Sequence, residues 1–136
     1  MGGTKSPRKK MKVSRVKLDP IKLLNKLTVP EEKIAILKRR TEQEMLRLYI
    51  WTGDEKDILS LNTTLRLCKH LLSYVEDSVH ARQQIERAEV TLSDYDSTIE
   101  TINLDAVRDA LEVCFDVWRL VTVEEFLSAV KELRQN

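Results

Sequence analysis

The fold turns on residues 58–79, ILSLNTTLRLCKHLLSYVEDSV. Ile58, Leu61, Leu65, Cys68, Leu72, Val75 and Val79 recur at spacings of 3, 4, 3, 4, 3 and 4, the period of one helix face and about three heptads of a single seam. Leu59, Leu67, Leu71 and Tyr74 widen the stripe beyond the narrow line of a two-stranded coiled coil, as expected for an element of a bundle. A start is marked by Thr52 with Glu55, or by Asp54 with Asp57, each an oxygen-bearing side chain followed three residues later by a carboxylate. Past Val79 the strict spacing would demand Arg82, and the apolar positions move to Ile85 and Ala88. The pattern therefore predicts one long helix to about Glu89 that bends, changes partner or projects beyond Val79.

Upstream, EEKIAILKRRTEQEMLRLYIWTG reads as a helix to about Trp51, with Ile34, Leu37, Met45 and Leu48 on one side, Thr41 interrupting them and Gly53 as terminator. Asp19-Pro20 opens a short helix to about Leu27, because an acid caps and proline loses no bond at the first helical position. Thr28 with Glu31 offers a capping box, with Pro30 inside it. Downstream, VTLSDYDSTIETIN (90–103) reads as a loop or partial helix. Asn103 begins the next helix, in which Val107, Leu111, Cys114, Trp118 and Val121 step by 4, 3, 4 and 3. Thr122 with Glu125 caps a final helix carrying Phe126, Val130 and Leu133. The fold class expected is all-α: a compact bundle of about five helices with a long third helix, residues 19–136 forming one domain behind a disordered basic arm at residues 1–18.

The 136 residues, 42% of them hydrophobic, suffice for a core without disulfides or a structural metal. Cys68 and Cys114 fall in apolar periodic segments, where a free cysteine behaves as a small hydrophobe, and point to a reducing compartment. Apolar runs are too short for a membrane span, and no apolar core follows the basic start as in a secretory signal. The expected location is intracellular: cytoplasmic, or nuclear in a host with a nucleus.

A net charge of +1 conceals a separation. Residues 1–52 carry fourteen Lys or Arg against five acids, +9, and residues 53–136 carry nine against seventeen, −8. The first half suits a polyanion and the second repels one. Lys5, Arg8, Lys9, Lys10, Lys12, Arg15 and Lys17, followed by Lys22 and Lys26, form the arm; neutralising phosphates would give salt-sensitive, sequence-independent affinity. Lys38, Arg39, Arg40 and Arg47 extend that candidate phosphate surface along the next helix. Two helices joined by about three residues partly match a helix-turn-helix reader, but Glu31, Glu32, Glu42 and Glu44 weaken its field. The arm also admits two other roles: PRKKMK (7–12) resembles a nuclear import signal with Ser6 as a phosphorylation switch, or the run is a solubilising end.

Catalytic patterns are scarce. Three glycines, two at positions 2 and 3, build no phosphate loop, and CxxC, HExxH and EF-hand spacings do not occur. His70 and His80 fall on different faces of one helix. Asp105, Asp109, Glu112 and Asp116, at spacings of 4, 3 and 4, place four carboxylates on one face opposite an apolar stripe. That row is expected to face water, where it could dock a basic partner; facing inward, it could serve a metal hydrolase. Trp51 and Phe115 lie off the strict stripes and are candidate partner anchors, whereas Trp118 lies in the core register. The reading is a non-enzymatic nucleic-acid-associated accessory protein that needs no cofactor and assembles through its long helix. Its rival is a protein–protein adaptor with no direct nucleic-acid role.

Overall fold

The computed structural model describes residues 27–95 and 103–135. The expected arm at 1–18, all but the last residue of the expected short first helix, and residues 96–102 of the 90–103 connection lie outside these residues. Among the described residues are five α-helices: α1 (Glu31–Tyr49), α2 (Glu55–Leu71), α3 (Val79–Ser93), α4 (Asp105–Leu120) and α5 (Val123–Gln135). Their apolar faces meet in one core, the bundle that the periodicity predicts.

α1 starts at Glu31 because Pro30 cannot continue a helix backwards, and the Pro30 carbonyl accepts from the Lys33 and Ile34 N–H groups. Thr28 forms no cap here; it pairs in an isolated bridge with Thr122, next to a bond from Val123 N–H to Leu27 O (2.8 Å). Thr41 does not break the stripe: it is buried, and its hydroxyl donates to the Lys38 carbonyl at 2.8 Å. The end of α1 departs from expectation. Trp51, not Gly53, takes the left-handed conformation, with φ 60°, and donates to Leu48 O (3.1 Å) while Thr52 N–H donates to Arg47 O (2.8 Å). These are the two bonds of a Schellman closure, here made with a tryptophan in the position glycine usually holds. Its ring stacks on Tyr95 at 5.7 Å between centroids.

Gly53 serves by its lack of volume. A β-carbon there would overlap the side chain of Leu48, which is 0% exposed, and would sit 3.3 Å from the Tyr95 hydroxyl. Gly53→Ala should therefore cost about 1–3 kcal/mol through overpacking, read as a lowered melting temperature; an unchanged one would show that Leu48 repacks freely.

α2 uses the second of its two possible starts. Asp54 Oδ1 accepts from Lys56 N–H (3.0 Å) and Asp57 N–H (3.1 Å), and Asp57 Oδ2 accepts from Asp54 N–H (3.3 Å). The long helix expected to follow is two helices. α2 stops at Leu71, a 3-10 turn covers Leu72–Tyr74, Val75 is extended and Asp77 is left-handed at φ 55°. Asp tolerates that conformation, and Ser73 Oγ secures the turn by donating to His70 O (2.9 Å). α3 then folds back on α2 and packs against α4. Ile85, Ala88 and Leu92 are buried within this one chain, while Val79, the last residue of the expected seam, is exposed. The apolar surface that was to join two copies is thus already covered, and the case for assembly through a long helix falls with it.

Asn103 Oδ1 accepts from Asp105 N–H (2.9 Å) at the start of α4. The buried face of α4 holds Val107, Leu111, Cys114 and Trp118 as expected, and also Ala110, Phe115 and Val117. Both thiols are buried and free, and burial, with Cys68 beside it, pushes the Cys114 thiol well above its ordinary value. α5 is closed by the expected box: Thr122 N–H donates to Glu125 Oε1 (2.9 Å) and Glu125 N–H to Thr122 Oγ1 (3.1 Å). Among the described residues, no helix is long and apolar enough to cross a membrane.

Candidate interaction surfaces

Lys5, Arg8, Lys9, Lys10, Lys12, Arg15, Lys17, Lys22 and Lys26 lie outside the described residues. The four cations expected from α1 do not form one surface. Arg47 is spent on Asp57: its Nε donates to both carboxylate oxygens at 3.0 Å and its Nη2 to Oδ1 at 2.6 Å. Lys38 is half-buried, its ammonium 5.7 Å from the centroid of the Phe115 ring. Arg39 and Arg40, with Lys33 about two turns earlier, are exposed and have no carboxylate in ion-pair range among the described residues.

Asp105, Asp109, Glu112 and Asp116 are all exposed, so the row faces water. It is not a bare run of negative charge. Arg108 reaches Asp105 (3.5 Å) and Asp109 (3.6 Å), and Arg119 bridges Asp116 (3.3 Å) and Glu31 of α1 (3.1 Å). Tyr49 donates its hydroxyl to Asp105 at 2.8 Å, and partial burial with that bond pushes the phenol up to about 12. Since Tyr49 at the end of α1 meets the start of α4, and Glu31 at its start meets the end, the two helices run antiparallel. Between them lies a groove of about 260 Å³ with the buried Met45, Leu111 and Phe115 on its floor and Glu42, Glu112 and Arg108 around it.

Phe115 is therefore corrected as a surface anchor. It is 2% exposed and packs edge-on to Trp118 at 5.5 Å, because the α4 core stripe is one position wider than the 4, 3 seam. Trp51 is half-buried on Tyr95 and acts at the α1 corner.

One constellation was missed in the sequence. Arg66, Lys69, His70 and Ser73 share a face of α2 and its 3-10 turn, and Arg82 of α3 joins them around a cleft of about 420 Å³. The 66, 69/70, 73 spacing was legible; Arg82 entered only when the turn at 75–78 brought α3 back. Among the described residues, no group of three His, Cys, Asp or Glu side chains is placed to hold a metal ion. Compared with known protein families, curated proteins and solved structures, the chain matches none.

Proposed function

We propose that the chain is a non-enzymatic accessory of nucleic-acid complexes. The segment from Lys5 to Lys26 takes the phosphate backbone, Lys33, Arg39 and Arg40 add contacts, and the helical body serves as the platform that holds this charge in place. The observation that carries the reading is where uncommitted positive charge remains on α1. Arg47 at its end is neutralised by Asp57, whereas Lys33, Arg39 and Arg40 nearer its start are exposed and follow directly on the nine cations of residues 5–26. Phosphate is thereby favoured at these three side chains and at the basic segment before them.

Anisotropy titration of a labelled duplex, at several salt concentrations, tests this with the full chain and with one lacking residues 1–18. If six to nine phosphates are neutralised, log K should fall against log salt with a slope of about −5 to −8. The truncated chain should bind at least tenfold more weakly with a slope nearer zero. Equal, weak binding by both would end the proposal.

One observation favours a second reading, a protein adaptor. The α1–α4 groove joins an apolar floor to a border in which Glu42 and Glu112 outnumber Arg108, with Leu46 and Tyr49 exposed at its edge, a combination that suits an amphipathic basic helix of a partner. The same titration separates the two, since an adaptor of this kind needs no duplex affinity.

A further inference from the structure

We infer that the cleft between α2, α3 and α5 is a binding site for a phosphate group. The inference is independent of the N-terminal segment, and it concerns the half of the chain whose sequence carries −8. Against that gradient, Arg66, Lys69, His70 and Arg82 converge on one concavity with the hydroxyl-bearing Ser73 at its edge. Two carboxylates also line it: Glu89 pairs with Lys69 at 2.8 Å, and the half-exposed Glu132 stands 3.7 Å from His70 Nδ1. Arg66 and Arg82 have no carboxylate in ion-pair range among the described residues, so two guanidinium groups on facing helices remain uncommitted.

The chemistry of that pair selects the ligand. A guanidinium presents parallel N–H donors that match two oxygens of a phosphate, and two such forks on different helices enclose a tetrahedral anion better than a planar one. The volume of about 420 Å³ falls in the range of roughly 300–1,000 Å³ typical of small-ligand sites, leaving room for more than the phosphate itself. The fold gives a reason for the arrangement. Were α2 and α3 one continuous helix, Arg82 would stand far along the axis from Arg66; the turn around Asp77 brings it back and lets Lys69 reach Glu89. Arg66, Lys69 and Arg82 bring three positive charges to the cleft against the two carboxylates of Glu89 and Glu132, a surplus that a bound anion would neutralise.

The test is a set of 1H–15N titrations of the full chain at constant ionic strength, with chloride exchanged for inorganic phosphate, then with adenosine 5′-monophosphate, then with a duplex lacking terminal phosphates. Saturable shifts of the Lys69, His70, Ser73 and Arg82 amides are expected. Arg66→Ala/Arg82→Ala should weaken them at least tenfold, while Arg87→Ala/Arg134→Ala, which removes the same charge from exposed positions elsewhere, leaves them unchanged. Saturation by phosphate and the mononucleotide alone identifies a free phosphomonoester; saturation of the same amides by duplex at lower concentration identifies backbone phosphate. Both outcomes uphold the site. Shifts that grow without saturating, or that persist in the Arg66/Arg82 double variant, overturn it. Because Arg66 and Arg82 are exposed, the variant spectra should otherwise overlay those of the parent, so a lost signal reports binding and not unfolding. A failure of the N-terminal truncation to alter duplex binding would leave these phosphate shifts untouched.

Discussion

Trp118→Ala is expected to lower the unfolding free energy by about 3–5 kcal/mol, the cost of removing a buried aromatic without refilling its space. Trp118 is 1% exposed and holds α5 to α4 by edge contacts, with Phe115 at 5.5 Å on its own helix and Phe126 at 6.0 Å on α5. A domain of this size has about 5–15 kcal/mol to lose, so the variant should be mostly unfolded at moderate urea where the parent is folded. Trp118→Phe makes the argument sharper. The indole Nε1 is buried with no hydrogen-bond partner among the described residues, a donor whose desolvation costs about 1–3 kcal/mol. Phenylalanine removes that donor while keeping most of the ring, so the loss should be less than half that of alanine. Equal losses in paired urea melts would mean that the indole nitrogen has a partner, such as an ordered water.

The parts of this structure that were legible in the sequence are those set by neighbours close in the chain. The Thr122–Glu125 box, the Asp54–Asp57 box and the buried face of α4 each follow from residues three or four apart. The division of the long helix was hidden because Leu72, Val75 and Val79 continue the heptad across residues that carry the turn. The spacing describes what a straight helix would bury; folding α3 back buries Ile85, Ala88 and Leu92 in the same core. The hydrophobic gain decides for the turn, and left-handed Asp77 costs little by comparison. Pairings across corners were invisible for a related reason. Arg47 looked like free charge because Asp57 lies ten residues away, and Arg82 looked irrelevant to Arg66 at sixteen. Charge counts along a chain thus located the basic end but overstated what α1 contributes to it.

The Arg47–Asp57 pair supplies the other large effect, and one with a defined dependence on pH. Asp57 is 6% exposed and does two jobs: it closes the α2 cap with Asp54, and it binds the Arg47 guanidinium across the Trp51–Gly53 corner. Asp57→Ala removes one half of the capping box, the acceptor for Asp54 N–H, at most about 1 kcal/mol, and charged hydrogen bonds of about 1.5–3 kcal/mol. The Arg47 side chain is 46% exposed, so water screens the ionic part and can resolvate the guanidinium once it is released. The net loss expected at pH 7 is about 2–3 kcal/mol. The hydrogen bonds from Arg47 hold the Asp57 carboxyl below its ordinary value. A carboxyl whose folded pKa lies below its unfolded one gives its full contribution above the unfolded value, about 4. That contribution is lost as pH falls through the lower, folded value, because the unfolded chain then binds the proton more readily. The difference in stability between parent and Asp57→Ala should therefore be constant from pH 7 to about 5 and shrink steadily below 4. Comparing the two proteins at each pH cancels the general effect of acid on the remaining carboxylates. Urea melts at pH 7 and pH 3 would decide it: a gap of the same size at both would assign the loss to packing and the cap alone, and remove the ion pair from the account of this corner.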